Sequence, residues 1–526
     1  MSTAASGGSG KSKVKVKAPP KTIDEIGSIA LITNNISGPA MMGVPHLFRA
    51  AGIIPSVTCI LSVCCCASLC GTFLAESIQG IKENRNFGKN VNFSLAFRIV
   101  VGEDWYVIAE TLFVMSCMVQ ACAAIVETAQ SLDGFLASFV IGKTWAVQIL
   151  PFPALIEWSP AECQPESEYF VESGLEDCTP FHDAGDLCLT LGFVIATCIF
   201  YPLGRGNLKD TITVQLVSFA TLFVLLAQFY YEFGVRGFAF LDMVPWFGND
   251  MSQLAGVVLF NYAFSITVPS WLNEKLPEVN VNRIIWTCTL LASCIYISFG
   301  ALAAASFENA GSNLLILLSS SKVHFMTRIC AAIFGTSIIG SGVPVFCVII
   351  KNALHTGGVC NEQWSLFVGS VLPYCLSWML YQGTVLMTVL NWTGLLVNGM
   401  VAFILPLVLA LYAYRRNSKV DYENVPVENA SSVQEGVDDS KMQTNIIKMA
   451  TLGGGSRPDV LAVDETEEDD SQDLETELVQ PLWTCLEPFR KYIIGSIICA
   501  FAIIILVTVV IDTMNDEPTD RRRRRR

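Results

Sequence analysis

Residues 34–45 read NNISGPAMMGVP and lie inside the first long apolar run of the chain. Two asparagines, two glycines and two prolines stand together where a membrane helix would otherwise run without a break. Pro39 has no amide hydrogen to donate and its ring clashes with the preceding turn, while Gly38 tolerates dihedrals closed to other residues. In lipid, backbone groups released from a helix must be satisfied by neighbouring protein or by a water-lined cavity. The stretch therefore predicts a helix interrupted at bilayer depth.

The rest of the chain supplies the setting. Of its 526 residues 52% are hydrophobic and only 15% charged, with a mean hydropathy of +0.49. Soluble chains carry roughly a quarter charged residues, so the composition excludes an ordinary globular enzyme and points to a polytopic membrane protein. Runs of about 20 apolar residues suffice to cross the hydrocarbon layer. Eleven candidates occur, at 26–48, 53–78, 105–140, 186–203, 211–232, 251–272, 283–306, 323–352, 365–386, 389–414 and 489–513. They are called segments 1 to 11 below. Segment 3 is too long for one upright crossing, so it is tilted or extends beyond the membrane.

Lys and Arg in short loops set the orientation. Lys11, Lys13, Lys15, Lys17 and Lys21 precede segment 1, and alternate loops carry Lys82, Arg85, Lys89 and Arg98; Arg205 and Lys209; Lys275 and Arg283; Lys351; and Arg415, Arg416 and Lys419. The pattern predicts a cytoplasmic N-terminus, and the lack of an apolar core in residues 1–24 predicts no cleavable signal peptide. Six arginines, Arg521–Arg526, oppose the outer placement that an odd span count assigns to the tail. Either the count is off by one, or the tail crosses late, or the arginines were appended.

The net charge of −14 is concentrated in two polar stretches, 157–186 and 421–487, so it carries no signal for a nucleic-acid partner. The loop 151–186 falls on the predicted outer side with nine acidic residues, Cys163 and Cys178. On an oxidising face those two thiols are expected to close a disulfide; in an intracellular organelle they stay free. The other cysteines lie mainly in apolar runs and read as small hydrophobes. The domain reading is a disordered cytoplasmic 1–24, a ten-helix core 25–414, a disordered acidic cytoplasmic insert 415–488, an eleventh helix 489–513 and a tail 514–526. The insert reads as a solvated linker or as a regulatory tail with a cytoplasmic partner. No phosphate-binding glycine loop and no H-E-x-x-H occurs, so nothing points to an ATP-driven pump, a metalloenzyme or a bound cofactor.

Segment 6 repeats the feature of segment 1. Residues 256–275 read GVVLFNYAFSITVPSWLNEK, with Asn261, Tyr262, Ser265 and Thr267 near the middle of the run, followed by Pro269. Both interruptions end in Val-Pro, at Val44-Pro45 and Val268-Pro269. Breaks at matching places of two five-segment halves are the expected sign of an inverted-repeat secondary transporter holding its substrate at the midplane. A half-helix N-terminus suits a carboxylate, and free carbonyls at the opposite ends suit an ammonium group or a cation.

On these residues the chain resembles the amino acid/auxin permease family, within the amino acid–polyamine–organocation superfamily, over roughly 22–414 and segment 11. TNNISGPAMMGVPHLFRAAGI is similar to the family's first-helix pattern at Asn34, Gly38, Gly43 and Gly52. YAFSITVPSWLNE resembles its sixth-helix pattern at Tyr262-Ala263-Phe264, Pro269 and Glu274, and GVPVFCVIIKNAL its eighth at Pro344 and Lys351. The resemblance implies an all-α polytopic protein of about 11 transmembrane helices with a LeuT-type 5+5 inverted repeat and broken helices 1 and 6. Two positions depart from the pattern. Gly38-Pro39-Ala40 replaces Gly-x-Gly, and Gly342 stands where sodium-coupled relatives carry a Thr hydroxyl, with Ser341 adjacent.

The expected function is secondary active transport of an amino acid or related small zwitterion by alternating access, in a plasma or vacuolar/endolysosomal membrane. Coupling to protons is preferred over sodium; a non-transporting amino-acid sensor of the same fold is the rival. Ser37, Gly38, Pro39 and Ala40 are the expected carboxylate cradle, Tyr262 and Phe264 the pocket walls, and Ser265 and Thr267 the hydrogen-bonding groups. Asn34, Asn35, Ser341 and Glu127 are the candidates for ion coupling. Segment 3 also carries Glu110, Gln120 and Gln130 within half its circumference. His46 is a candidate external pH sensor, Arg49 a snorkelling cation, and Glu274 and Lys275 a gate pair with Arg283 or a neighbour.

Overall fold

The structure is a computed structural model that describes residues 21–82, 84–150, 152–159, 180–181, 187–206, 208–239, 241–307, 314–319, 323–381, 389, 391–423, 478–482 and 486–523. Cys163 and Cys178, most of the acidic insert and residues 1–20 lie outside them. Among the described residues eight helices are long and apolar enough to cross a membrane, and the protein is a multi-pass helical membrane protein. They are Ile53–Gln79, Glu103–Val140, Thr211–Arg236, Leu254–Glu274, Val281–Ser306, Phe325–His355, Asn391–Arg416 and Glu487–Thr508. Segments 1, 4 and 9 fall outside that set for local reasons. The first is broken, the fourth forms only the 14-residue helix Leu191–Gly204, and the ninth is described as a helix only over residues 362–379, which opens on the polar Glu362 and Gln363.

Segment 1 is helical over Glu25–Ile36, started by an N-cap in which the Asp24 carboxylate accepts from the Gly27 N–H at 2.8 Å. It stops at Ser37-Gly38, tightens into a 3₁₀ turn over Pro39–Gly43 and resumes as Val44–Ala50. Segment 6 runs Leu254–Asn261, a 3₁₀ turn Ala263–Ile266, then Val268–Glu274. In both segments a proline sits in the first turn of the resumed α-helix (Pro45 and Pro269), where its missing N–H costs nothing.

Segment 3 is one continuous α-helix, Glu103–Phe135, of about 50 Å at 1.5 Å per residue. It separates a basic end, with Lys21, Arg98 and Lys275, from an end that carries a small sheet. That sheet departs from the all-helical expectation. β1 (Thr144–Gln148) pairs antiparallel with β2 (Ala154–Trp158), and β3 (Cys188–Thr190) joins its other edge. The buried Asp133 carboxylate ties it down: Oδ1 accepts from Thr144 Oγ1 and from the Gly192 N–H, both at 2.8 Å, and Oδ2 from the Tyr381 hydroxyl at 2.6 Å.

The termini of the core also differ from the sequence reading. Residues 21–24 are ordered: Thr22 and Ile23 donate backbone N–H groups to Glu274 O at 2.8 and 3.0 Å, and Leu276 returns one to Ile23 O at 2.8 Å. The helix expected to end at 414 continues to Glu423, and the last helix extends to Arg523. Residues 478–482, expected to be disordered, pack on the core: Val479 N donates to Gln79 Oε1 and Asn282 Nδ2 to Gln480 O, both at 2.8 Å.

Candidate functional site

The two interruptions meet. Asn35 Nδ2 donates to Thr267 Oγ1 at 2.7 Å, and that hydroxyl donates to Phe264 O at 2.8 Å. On the basic side of the breaks, Trp271 Nε1 donates to Ser28 Oγ at 2.9 Å. A carbonyl freed where segment 1 stops, Ile36 O, accepts both the Gly38 N–H at 2.7 Å and the hydroxyl of Tyr296. Tyr296 packs edge-on against Tyr262, with ring centroids 5.7 Å apart, and the Tyr262 hydroxyl is hydrogen-bonded to Ser293 Oγ.

One cleft opens beside the first break. It is lined by Asn34, Asn35 and Gly38 from segment 1, Gln120 and Ala124 from segment 3, Gln215 from segment 5 and Ser341, Gly342 and Phe346 from segment 8. As it stands here it has room for about one water molecule. No described lining residue is charged. Its polar groups are joined in a chain. Asn34 Nδ2 donates to Gln215 O and Gln215 Oε1, both at 2.8 Å, and Gln215 Nε2 donates to Ser341 O at 2.9 Å. Gln120 Nε2 reaches Phe260 O at 3.3 Å, linking the cleft to the helix that precedes the second break.

Among the described residues, several buried polar atoms around the breaks lack a hydrogen-bond partner: Asn34 Oδ1, Ser37 Oγ and both amide atoms of Asn261. Ser37 is 0% exposed, Asn261 4% and Asn34 5%. Leaving such a group unpaired costs roughly 1–3 kcal/mol, so their gathering at two helix breaks calls for a polar occupant.

The expected site residues divide accordingly. Asn34, Asn35, Gly38 and Ser341 line the cleft, and Thr267 is tied to it through Asn35. Ser37 and Ala40 are not among the described lining residues, and the expected cradle of N–H groups is thin. Ser37 spends its N–H on Thr33 O, Gly38 spends its own on Ile36 O and Pro39 has none, which leaves Ala40. Tyr262, Phe264 and Ser265 are engaged elsewhere. Ser265 Oγ donates to Ala402 O at 2.8 Å, and Phe264 fills a notch where a Cβ on Gly71 would stand 3.2 Å from its Cζ. Glu127 is buried on segment 3 outside the cleft lining, its Oε2 without a partner among the described residues.

Three further expectations are corrected. Arg49 does not merely snorkel: its Nε and Nη2 donate to Ala304 O at 3.0 and 2.9 Å and cap the C-terminus of Val281–Ser306. Arg283 pairs with Glu25 at 3.4 Å, not with the end of segment 6. Lys275 donates to Val279 O at 3.0 Å and lies over the Phe87 ring, and burial with the nearby Lys21 charge lowers its pKa to about 8. Half-buried His46 sits in the helix after the first break.

Sequence reasoning missed Gln215. Its only signal was one of two amides within the apolar run TVQLVSFATLFVLLAQF, and nothing local says that it meets Asn34 across 181 residues. No family model and no curated protein matches the chain.

Proposed function

We propose that this protein is a secondary active transporter that moves an amino acid or related small zwitterion by alternating access, coupled to protons. On this reading the 11 segments form a LeuT-type 5+5 inverted repeat, with breaks 1 and 6 as its substrate site, and the chain is a relative of the amino acid/auxin permeases. The observation that carries the reading is the set of unpaired buried polar atoms of Asn34, Ser37 and Asn261 at two facing helix breaks. A neutral lining supports a solute without net charge, since an unpaired ion would be costly to desolvate there. Glu127, buried within a turn of the lining residue Ala124, is the proton site on this reading; Asn34 and Ser341 supply oxygens for the sodium alternative.

The test is uptake of labelled amino acids into proteoliposomes under imposed proton or sodium gradients. The expected result is uptake driven by an inward proton gradient and abolished by a protonophore. No gradient-dependent uptake across a full amino-acid panel would sink the proposal.

The packing of residues 478–482 on Gln79 and Asn282 favours a second reading, an amino-acid sensor whose insert reports the state of the core. Binding without flux, with a partner lost when 424–477 is deleted, would select it.

A further inference from the structure

An asparagine side chain offers two N–H donors at one end and a carbonyl acceptor at the other, and a glutamine the same on a longer stem. Which end faces the cleft therefore decides what the cleft can bind. At Asn34 that choice is made by two backbone carbonyls that cannot turn over. Gln215 O faces the Asn34 amide and requires a donor there, and Ser341 O faces the Gln215 amide and requires a donor there too. Turning Gln215 alone would set its Oε1 against Ser341 O, and turning Asn34 alone would set its Oδ1 against Gln215 O and Oε1. Both amides are thus locked with one polarity, running from Asn34 Nδ2 through Gln215 to Ser341 O. Asn34 Oδ1 is the end left over, on a residue 5% exposed that lines the cleft, and it has no partner.

We infer that Gln215 is a positioning residue that turns the Asn34 carbonyl oxygen into the cleft to accept a hydrogen bond from a protonated amine of the solute. The inference rests on the transport reading and narrows it, because it selects solutes by an N–H group and not by their carboxylate or side chain. With no acidic residue among the described lining residues, this oriented neutral oxygen takes the role that a carboxylate would play in a charged site.

The experiment compares glycine, L-alanine and L-leucine with their N,N,N-trimethyl forms, which keep both charges but have no N–H to donate. Uptake by wild type is expected to favour the free amines, because a site built around a hydrogen bond rejects the analogue that lacks it. Asn34→Ala deletes the acceptor itself and is expected to cut that preference in kcat/KM by about tenfold, chiefly through KM. Gln215→Met removes the two side-chain bonds at similar size and leaves Asn34 Nδ2 only the residue-215 backbone carbonyl, so it is expected to weaken the preference by a smaller factor, which keeps the test open if Asn34→Ala does not reach the membrane. A full wild-type preference retained in Asn34→Ala or in Gln215→Met overturns the inference alone. Absence of wild-type uptake for all six probes, with none bound, overturns the transport reading and this inference with it.

Discussion

At the scale of single residues, the breaks are stabilised by side chains that take over the work of lost helical hydrogen bonds. Tyr296 is the clearest case, because its hydroxyl and the Gly38 N–H share Ile36 O. Replacing Tyr296 with Phe removes one of two donors without orphaning the carbonyl. The expected cost is about 1 kcal/mol, read as a lower thermal-unfolding midpoint in detergent. A loss well above that would mean that the hydroxyl also orders Tyr262, whose ring lies edge-on to its own. Proline and glycine at 38–45 made the location of the break legible, since those residues act locally. The polarity of Asn34 was illegible, because it is set by Gln215 and Ser341, which are distant in sequence.

At the scale of elements, the basic end is closed by a short backbone zip between residues 22–23 and 274–276, with Lys275 buried inside it. The Lys275 ammonium has a pKa of about 8 against its ordinary 10.5, lowered first by burial and then by Lys21. The unfolded or opened segment therefore binds the proton more tightly than the zipped one. Below about 8 the zip bears the full cost of a desolvated charge; that cost is relieved as pH rises from about 8 towards 10.5. The expected outcome is a wild-type unfolding midpoint that rises, relative to Lys275→Met, between those two values. A difference that is flat with pH would show that Lys275 does not titrate there. Gly52 contributes to the opposite side of segment 1: it holds φ +92°, and a Cβ would lie 2.6 Å from Gly248 N, so the chain turns and packs there in a way that only glycine permits. The small sheet shows the converse of the breaks. Its strands are only three to five residues long, too short to announce themselves beside apolar runs of twenty, and Asp133 anchors them from another element.

At the scale of the whole molecule, a buried cation joins the apolar packing of Ile494 and Phe501 in holding the last helix on the core. Arg490, 8% exposed in its side chain, donates to both oxygens of Glu76 and to Glu487 Oε1 at 2.9 Å, over the rings of Phe73 and Tyr414. Arg490→Gln leaves the Glu76 carboxylate uncompensated and is expected to cost about 2–3 kcal/mol, while Glu76→Gln with Arg490→Gln recovers most of it. Thermal unfolding of the four proteins in that cycle gives the coupling directly; additive losses would mean that the pair does not hold the helix.

The amino-acid sequence by itself determined the membrane class, most of the helical segments and the two interrupted ones. Each of these follows from hydropathy over a window or from the covalent limits of proline and glycine, which need no partner. Only the tertiary structure decided that the cleft belongs to Asn34, Asn35, Gln120, Gln215 and Ser341 while Tyr262, Phe264 and Ser265 spend their contacts on packing. A buried polar group is defined by what pairs with it, and here the pairing partners come from segments 1, 3, 5 and 8, brought together by the fold.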